Sequence, residues 1–315
     1  MAHLHTADHS HTCNHAGHGH GHVHGAGASG SGSAFFIAVF LNTAFVVAEF
    51  AFGFIANSTA LMADAGHNLS DVFGLLLAWG AAILARRAPA GRFTYGLRGT
   101  SILASLANAM FLLVACGGIA WEAVQRFSQA PVVNGLTVTL VAGVGIAING
   151  ISAWLFVKGS KGDLNIRGAY LHMLADAAVS LGVVVAGVVM MFTGWHWLDP
   201  VVSLAIVAVI VAGTWGLLRE SVHLVLDAVP ADIDAQAVDA CLRQLPGVSD
   251  VHDLHIWAMS TTENALTAHL VIADGHPGDA FIDEVTANLH MRFGIQHSTL
   301  QIEQGTTAHR CCLAP

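Results

Sequence analysis

The sequence predicts a membrane protein: an all-α bundle of six transmembrane helices followed by a small α+β domain of ferredoxin-like architecture. Three observations predict it. The chain is 54% hydrophobic and 10% charged, against roughly 25% charged residues in soluble domains. Its apolar residues gather into six stretches of about the 20 residues that a helix needs to cross a bilayer. Composition then changes after Glu220: residues 1–220 hold nine Asp/Glu against nine Lys/Arg, and residues 221–315 hold twelve against three. The net charge of −9 therefore lies in the C-terminal third, and the chain divides into residues 1–33, 34–220 and 221–315. An acidic chain with no Lys/Arg cluster beside aromatic platforms lacks the electrostatic footprint that phosphate backbones require, which excludes a nucleic-acid partner. Cys13, Cys116, Cys241, Cys311 and Cys312 are odd in number and widely spaced, so no disulfide framework is expected.

Residues 1–33 carry nine histidines among Gly, Ser and Thr and almost nothing that forms a core. Such a segment reads as disordered and suited to low-affinity capture of a divalent transition metal. No Lys or Arg precedes the first apolar run, which is not the layout of a cleaved signal peptide, so that run is expected to stay in the membrane. The six spans are expected near 34–55, 59–84, 101–124, 136–157, 166–192 and 198–218. Several are apolar on every face, unlike the one-sided helices of a soluble protein. Arg86, Arg87, Arg92 and Arg98 lie between the second and third spans, and Lys158, Lys161 and Arg167 between the fourth and fifth, whereas the alternate connections contribute only Arg126. The positive-inside rule then places both termini in the cytoplasm of a protein in the plasma (inner) membrane.

Beyond Glu220, an amphipathic helix is expected over 235–245, opened by acidic residues, with Pro246-Gly247 closing it. Strands are expected over 251–259 and 265–273, a helix over 278–293 and a third strand over 298–304. The order αββαβ fits helices covering one face of a sheet.

Ionisable side chains at bilayer depth cost roughly 2.5–3.5 kcal/mol each, so each requires a reason. The second span contains His67 and Asp71, and the fifth contains His172 and Asp176. Both spans thus carry His-x-x-x-Asp. Four residues are just over one helical turn, so each pair shares a helix face. Two such faces meeting offer two imidazoles and two carboxylates, a donor set that suits tetrahedral Zn²⁺ first, with Co²⁺ and Cd²⁺ as competitors. Mg²⁺ prefers an all-oxygen octahedron. The bland alternative is interhelical hydrogen bonding, but its weight falls when the same pair occurs on two spans. Binding requires neutral imidazole and ionised carboxylate, so loading expels protons and protonation expels metal. A site opening alternately to either side exchanges Zn²⁺ for H⁺, with histidine, of ordinary pKa about 6.5, as the proton carrier.

Asp64 precedes His67 by three residues and is expected to brace a ligand or accept a helix-packing hydrogen bond rather than bind metal. Asn42 and Glu49 are placed either along a water path or in ordinary packing. Glu122, His196 and Asp199 lie near span ends and are expected to face water. In the C-terminal domain, strand alternation puts His252 and Leu254 on one face and His255 on the other. Cross-strand reach then joins His252 to His269 and Glu303 as a second metal site. His309 with Cys311-Cys312 is either a mobile thiolate arm or a plain chain end.

These residues together resemble the cation diffusion facilitator family, in its bacterial zinc and zinc–cobalt–cadmium exporter branch. The resemblance covers a His-rich leader, six spans, paired His-x-x-x-Asp on the second and fifth, and a C-terminal domain containing His-Asp-Leu-His-Ile-Trp. It implies a homodimeric metal²⁺/H⁺ antiporter that removes zinc from the cytoplasm by alternating access, with ferredoxin-like domains that dimerise and sense metal. By motif, the transport ligands would be His67, Asp71, His172 and Asp176. The regulatory ligands would be His252, His269, Glu303 and His297, the last lying near the membrane interface in some relatives.

One departure is plain: some relatives place Asp and His ligands between the second and third spans, yet residues 86–98 contain no Asp, Glu, Cys or His. No metal site is expected there, and the basic loop is free to meet anionic lipid or the acidic C-terminal domain. The competing function is a membrane metal sensor or channel without proton coupling. An intramembrane metalloenzyme is disfavoured, because His-Glu-x-x-His is absent and no general base accompanies an open zinc position; the protein is not expected to be an enzyme.

Overall fold

The computed structural model describes residues 32–128, 131–156 and 164–305; the side chains of 32–42, of 164–170 and of some helix positions, His172 among them, lie outside that description. The sequence expectations for the His-rich leader and for His309, Cys311 and Cys312 also lie outside it. Among the described residues six long helices come first: α1 Gly32–Ile55, α2 Thr59–Ala85, α3 Thr100–Arg126, α4 Gly135–Phe156, α5 Leu164–Thr193 and α6 Leu198–Val225. Among the described residues, four stretches are long and apolar enough to cross a membrane: Thr59–Ala85, Thr100–Arg126, Met173–Thr193 and Leu198–Val225.

Local chemistry sets the helix starts and contacts. Ser58 has an extended backbone and accepts the Leu61 amide at 3.1 Å, the N-cap geometry that lets α2 begin at Thr59. The cap is reinforced from another helix. Asp199 of α6 is fully buried and accepts hydrogen bonds from the Ser58 hydroxyl, from the Thr59 amide and the Thr59 hydroxyl, these last two at 2.7 Å, and more weakly from the Ala60 amide at 3.4 Å. The sequence placed Asp199 in water. Its carboxylate instead satisfies amides that a helix start leaves without partners, beside the positive end of the α2 dipole. Glu122 is exposed as expected and pairs with Arg126 at 3.0 Å, whereas the His196 ring accepts the Val133 amide at 3.3 Å.

Helices α4 and α5 are held close by glycine. A methyl group at Gly187 would stand 2.5 Å from the Thr139 hydroxyl, and one at Gly135 would stand 2.7 Å from the Gly187 carbonyl. Only hydrogen fits there, so the two backbones approach as small residues allow in membranes. The apolar centre of the bundle joins Leu61 and Ala63 of α2, Leu112 and Cys116 of α3, Val138 of α4, Val183 and Met190 of α5 and Ile206 of α6.

The C-terminal region forms α7 Ala235–Arg243, β1 Val248–Ala258, β2 Asn264–Ile272, α8 Asp279–Phe293 and β3 Ile295–Glu303. Asp234 caps α7 through the Gln236 and Ala237 amides, and Gly294 ends α8 in a left-handed conformation. The sheet order is β1-β2-β3, antiparallel between β1 and β2 and parallel between β2 and β3, with α8 as the crossover that parallel pairing demands. Val238 and Leu242 of α7 with Val285 and Leu289 of α8 cover one sheet face, burying Val251, Ile256, Leu266 and Leu270. The αββαβ order stands as expected.

The two regions touch through the α2–α3 loop. Arg98 pairs with Glu263 at 2.6 Å, Ser101 accepts the Thr261 amide at 3.0 Å, and Tyr95 meets His297 edge-on with ring centroids 5.8 Å apart. Of the two destinations open to the basic loop, the structure shows Arg98 on the acidic domain.

Candidate metal centres

Helices α2 and α5 bring their ionisable residues together inside the bundle. His67 Nε2 stands 3.2 Å from Asp176 Oδ1 and 3.9 Å from Asp71 Oδ2. One donor atom from each of the three lies within 4.8 Å of the others. Asp176 is buried, His67 and Asp71 half-buried. His67 and Asp71 meet because one turn of α2 separates them; Asp176 joins because α5 runs antiparallel to α2. Three residues before His67, Asp64 accepts the Ser180 hydroxyl at 2.7 Å, and Ser180 is four residues after Asp176. Stepping back along α2 therefore steps forward along α5. Continued the other way, the same register puts position 172 of α5 level with Asp71.

Asp64 is thus the interhelical acceptor that the sequence allowed, and Ser180 its unforeseen donor. Signal for Ser180 existed only in its spacing, one further turn along the His172–Asp176 face. Glu49 of α1 is fully buried and accepts from Asn68 Nδ2 at 3.3 Å, so it lies in helix packing beside the cluster. Three helices therefore converge on this depth.

A second cluster lies on the sheet. His252 Nε2 is 3.2 Å from Glu303 Oε2, His269 Nδ1 is 3.0 Å from Glu303 Oε1, and the two imidazoles are 5.0 Å apart at 76°. His252 and His269 are directly opposite in the β1–β2 register, and Val271, next outward on β2, is opposite Glu303. Glu303 is buried and also accepts from Gln301 Nε2 at 2.7 Å. This grouping of two imidazoles and one carboxylate is the one cross-strand reasoning joined. His297 does not belong to it. It pairs with Ala265 six positions before Glu303 on β3, about 20 Å away at 3.3 Å per residue, and packs on Tyr95.

His255 departs from expectation as well. The register passes from His252 opposite His269 to His255 opposite Thr267, three steps on β1 against two on β2. Asp253 takes up the extra residue with φ of +52°, a left-handed backbone that Asp tolerates better than most side chains. The bulge reverses the alternation, so His255 shares the face of His252. Strict alternation missed this because a bulge leaves no apolar signature.

At the edge of this domain, hydrogen bonds from Arg243 hold the Asp250 carboxyl below its usual range, and Asp239 and Asp250 push the guanidinium up in turn.

Ionisable residues from two helices, meeting among apolar spans and joined to a small α+β domain, give the layout of a polytopic membrane protein with a cluster of candidate cation donors in its interior. The description of the cation efflux transmembrane domain matches residues 35–226, and that of the cation efflux protein cytoplasmic domain matches residues 230–305. The chain belongs to the cation efflux, or cation diffusion facilitator, family, in its zinc, cobalt and cadmium exporter branch. It is 33% identical over 278 residues to a "Cadmium, cobalt and zinc/H(+)-K(+) antiporter" of Bacillus velezensis, covering 87% of this chain and 88% of that one. It is 35% identical over 265 residues to "Zinc transporter ZitB" of Escherichia coli, covering 84% of each. It is 34% identical over 268 residues to "Metal cation efflux system protein CzcD" of Cupriavidus metallidurans, covering 85% of each.

Proposed function

We propose that the protein exports divalent transition metals, Zn²⁺ first and Cd²⁺ and Co²⁺ also, as a metal²⁺/H⁺ antiporter working by alternating access. The observation that carries this reading is the meeting of His67, Asp71 and Asp176 across α2 and α5 inside the bundle. His67, Asp71, His172 and Asp176 supply the donors of a tetrahedral cation, the substrate. Metal loads onto neutral imidazole and ionised carboxylate, and protons returning to those groups release it. The relatives' names, which specify zinc, cadmium, cobalt and an antiporter, support the substrate class and the counter-ion.

All six helices α1–α6 cross the plasma (inner) membrane, with both termini cytoplasmic. Support comes from the basic loops, which fall on the side of the match to a cytoplasmic domain. Residues 34–220 form the transport domain. Residues 221–315 form a ferredoxin-like domain that dimerises two copies and binds regulatory metal at His252, His269 and Glu303. Placement of His297 on Tyr95 speaks against its being a fourth ligand. The protein acts as a transporter and not an enzyme.

Zinc uptake into inside-out vesicles under an imposed pH gradient tests the reading. Gradient-driven uptake is expected in the parent with reciprocal proton movement, and Asp176→Ala is expected to abolish both. Zinc flux without proton movement would instead identify a channel, and unchanged uptake in Asp176→Ala would remove that residue from the pathway.

A further inference from the structure

The bulge in β1 does more than turn His255 over. In an unbulged strand Asp253, next to His252, would point at the helix-covered face among Val251, Leu266 and Leu270, where an unpaired carboxylate is costly. The left-handed backbone at Asp253 frees it from that face. The carboxylate settles between two imidazoles: Oδ1 is 3.1 Å from His255 Nε2, and Oδ2 is 3.5 Å from His269 Nε2. His269 Nδ1, the opposite ring nitrogen, is 3.0 Å from Glu303.

A neutral imidazole has one N–H and one lone pair, and whatever holds the N–H decides where the lone pair points. A carboxylate only accepts, so without an ion either Glu303 at Nδ1 or Asp253 at Nε2 can take the ring proton; a cation held at Nδ1 leaves the N–H on Nε2, where Asp253 stands to accept it. The His255 ring, hydrogen-bonded to the other oxygen, stops the carboxylate from turning away. Carboxylates commonly orient metal-binding histidines in this manner.

From this geometry we infer that Asp253, braced by His255, is a positioning residue for the sheet-domain cation site: it accepts the Nε2–H of His269 while Nδ1 faces the ion. Asp253 and His255 are not themselves ligands. The inference rests on the reading of His252, His269 and Glu303 as a cation site, and the donor set fits one, with two imidazoles and a carboxylate within 4.8 Å.

The test is Co²⁺ titration of the full-length protein in detergent, with Asp71→Ala and Asp176→Ala as the background so that the transport donors are broken. Equilibrium dialysis reads affinity and stoichiometry, and visible d–d absorption reads the coordination. His269→Ala, the control for the site itself, is expected to remove one Co²⁺ per chain. Asp253→Asn is expected to keep that stoichiometry while weakening binding about 10- to 100-fold, and His255→Ala to weaken it less, each with the metal-free melting temperature of the background. Parent-like affinity in Asp253→Asn and His255→Ala, with binding lost in His269→Ala, overturns the positioning role alone. Loss of a whole equivalent in Asp253→Asn overturns it by making Asp253 a ligand. Full Co²⁺ binding in His269→Ala refutes the cation site, and the positioning role with it.

Discussion

In the proposed transport site, individual residues divide between His67, Asp71 and Asp176, which present the candidate donors, and those that hold these donors in place. Ser180 belongs to the second group. Its hydroxyl meets the fully buried Asp64 carboxylate at 2.7 Å and ties α2 to α5 one turn from His67 and Asp176. Removing one partner of a buried hydrogen bond leaves the other desolvated, at a cost of about 1–3 kcal/mol. Ser180→Ala is therefore expected to lower the melting temperature in detergent and to reduce zinc uptake, whereas Ser180→Thr, which keeps the hydroxyl, should lose less. Equal transport by parent and Ser180→Ala would show that the Asp64 contact does not set the site. At the same scale, His67, Asp71 and Asp176 were legible in the sequence, because ionisable groups in an apolar span stand out by cost alone. Ser180, a small polar residue of the kind membrane helices carry routinely, did not stand out.

Among the elements, the start of α2 is held from two sides. Ser58 caps it from within the chain and Asp199 from α6, so that one carboxylate answers three strong donors. This joint lies at the end of the bundle away from the sheet domain, since α6 begins there and runs 28 residues, about 42 Å at 1.5 Å per residue, before reaching it. Asp199→Ala strands at least two buried donors and is expected to destabilise the protein by several kcal/mol, at about 1–3 kcal/mol for each. Thermal unfolding in detergent measures the loss; a shift no larger than that of an exposed substitution such as Glu122→Ala would contradict the burial. Helix spans were legible to within about two residues from hydropathy, except that α6, expected to end at 218, continues to Val225, because its last turns carry Arg219, Glu220, Ser221 and His223 and so drop out of the apolar signal. The element order αββαβ was legible from alternation and turn residues, but not the bulge at Asp253, which depends on where a carboxylate can be placed once the strand is paired.

Across the molecule, the helices and the sheet domain meet at the β1–β2 turn, where Glu263 and Thr261 contact Arg98 and Ser101. Arg98 and Glu263 are each more than a third exposed, so despite the short distance the pair is worth about 0.2–1 kcal/mol and weakens with salt. A double-mutant cycle on Arg98→Ala and Glu263→Ala, read by thermal unfolding, is expected to give a coupling in that range at low salt and less at high salt. A salt-independent coupling several times larger would mean a joint closed to water. The contact was foreshadowed by charge alone: a basic loop without acids or ligands, and an acidic domain. Which basic residue meets which acid was not.

Hydropathy, charge segregation and the spacing of His67, Asp71, His172 and Asp176 sufficed to determine the membrane setting, the order of elements and the type of chemistry, because burying charge and crossing lipid are costs that any fold must meet. Tertiary structure alone decided that Asp199 is buried rather than wet, that Ser180 answers Asp64, that His255 turns to the face of His252, and that His297 goes to Tyr95. Each of these depends on which element stands opposite, and the pairing of elements is a property of the packed chain that no local pattern carries.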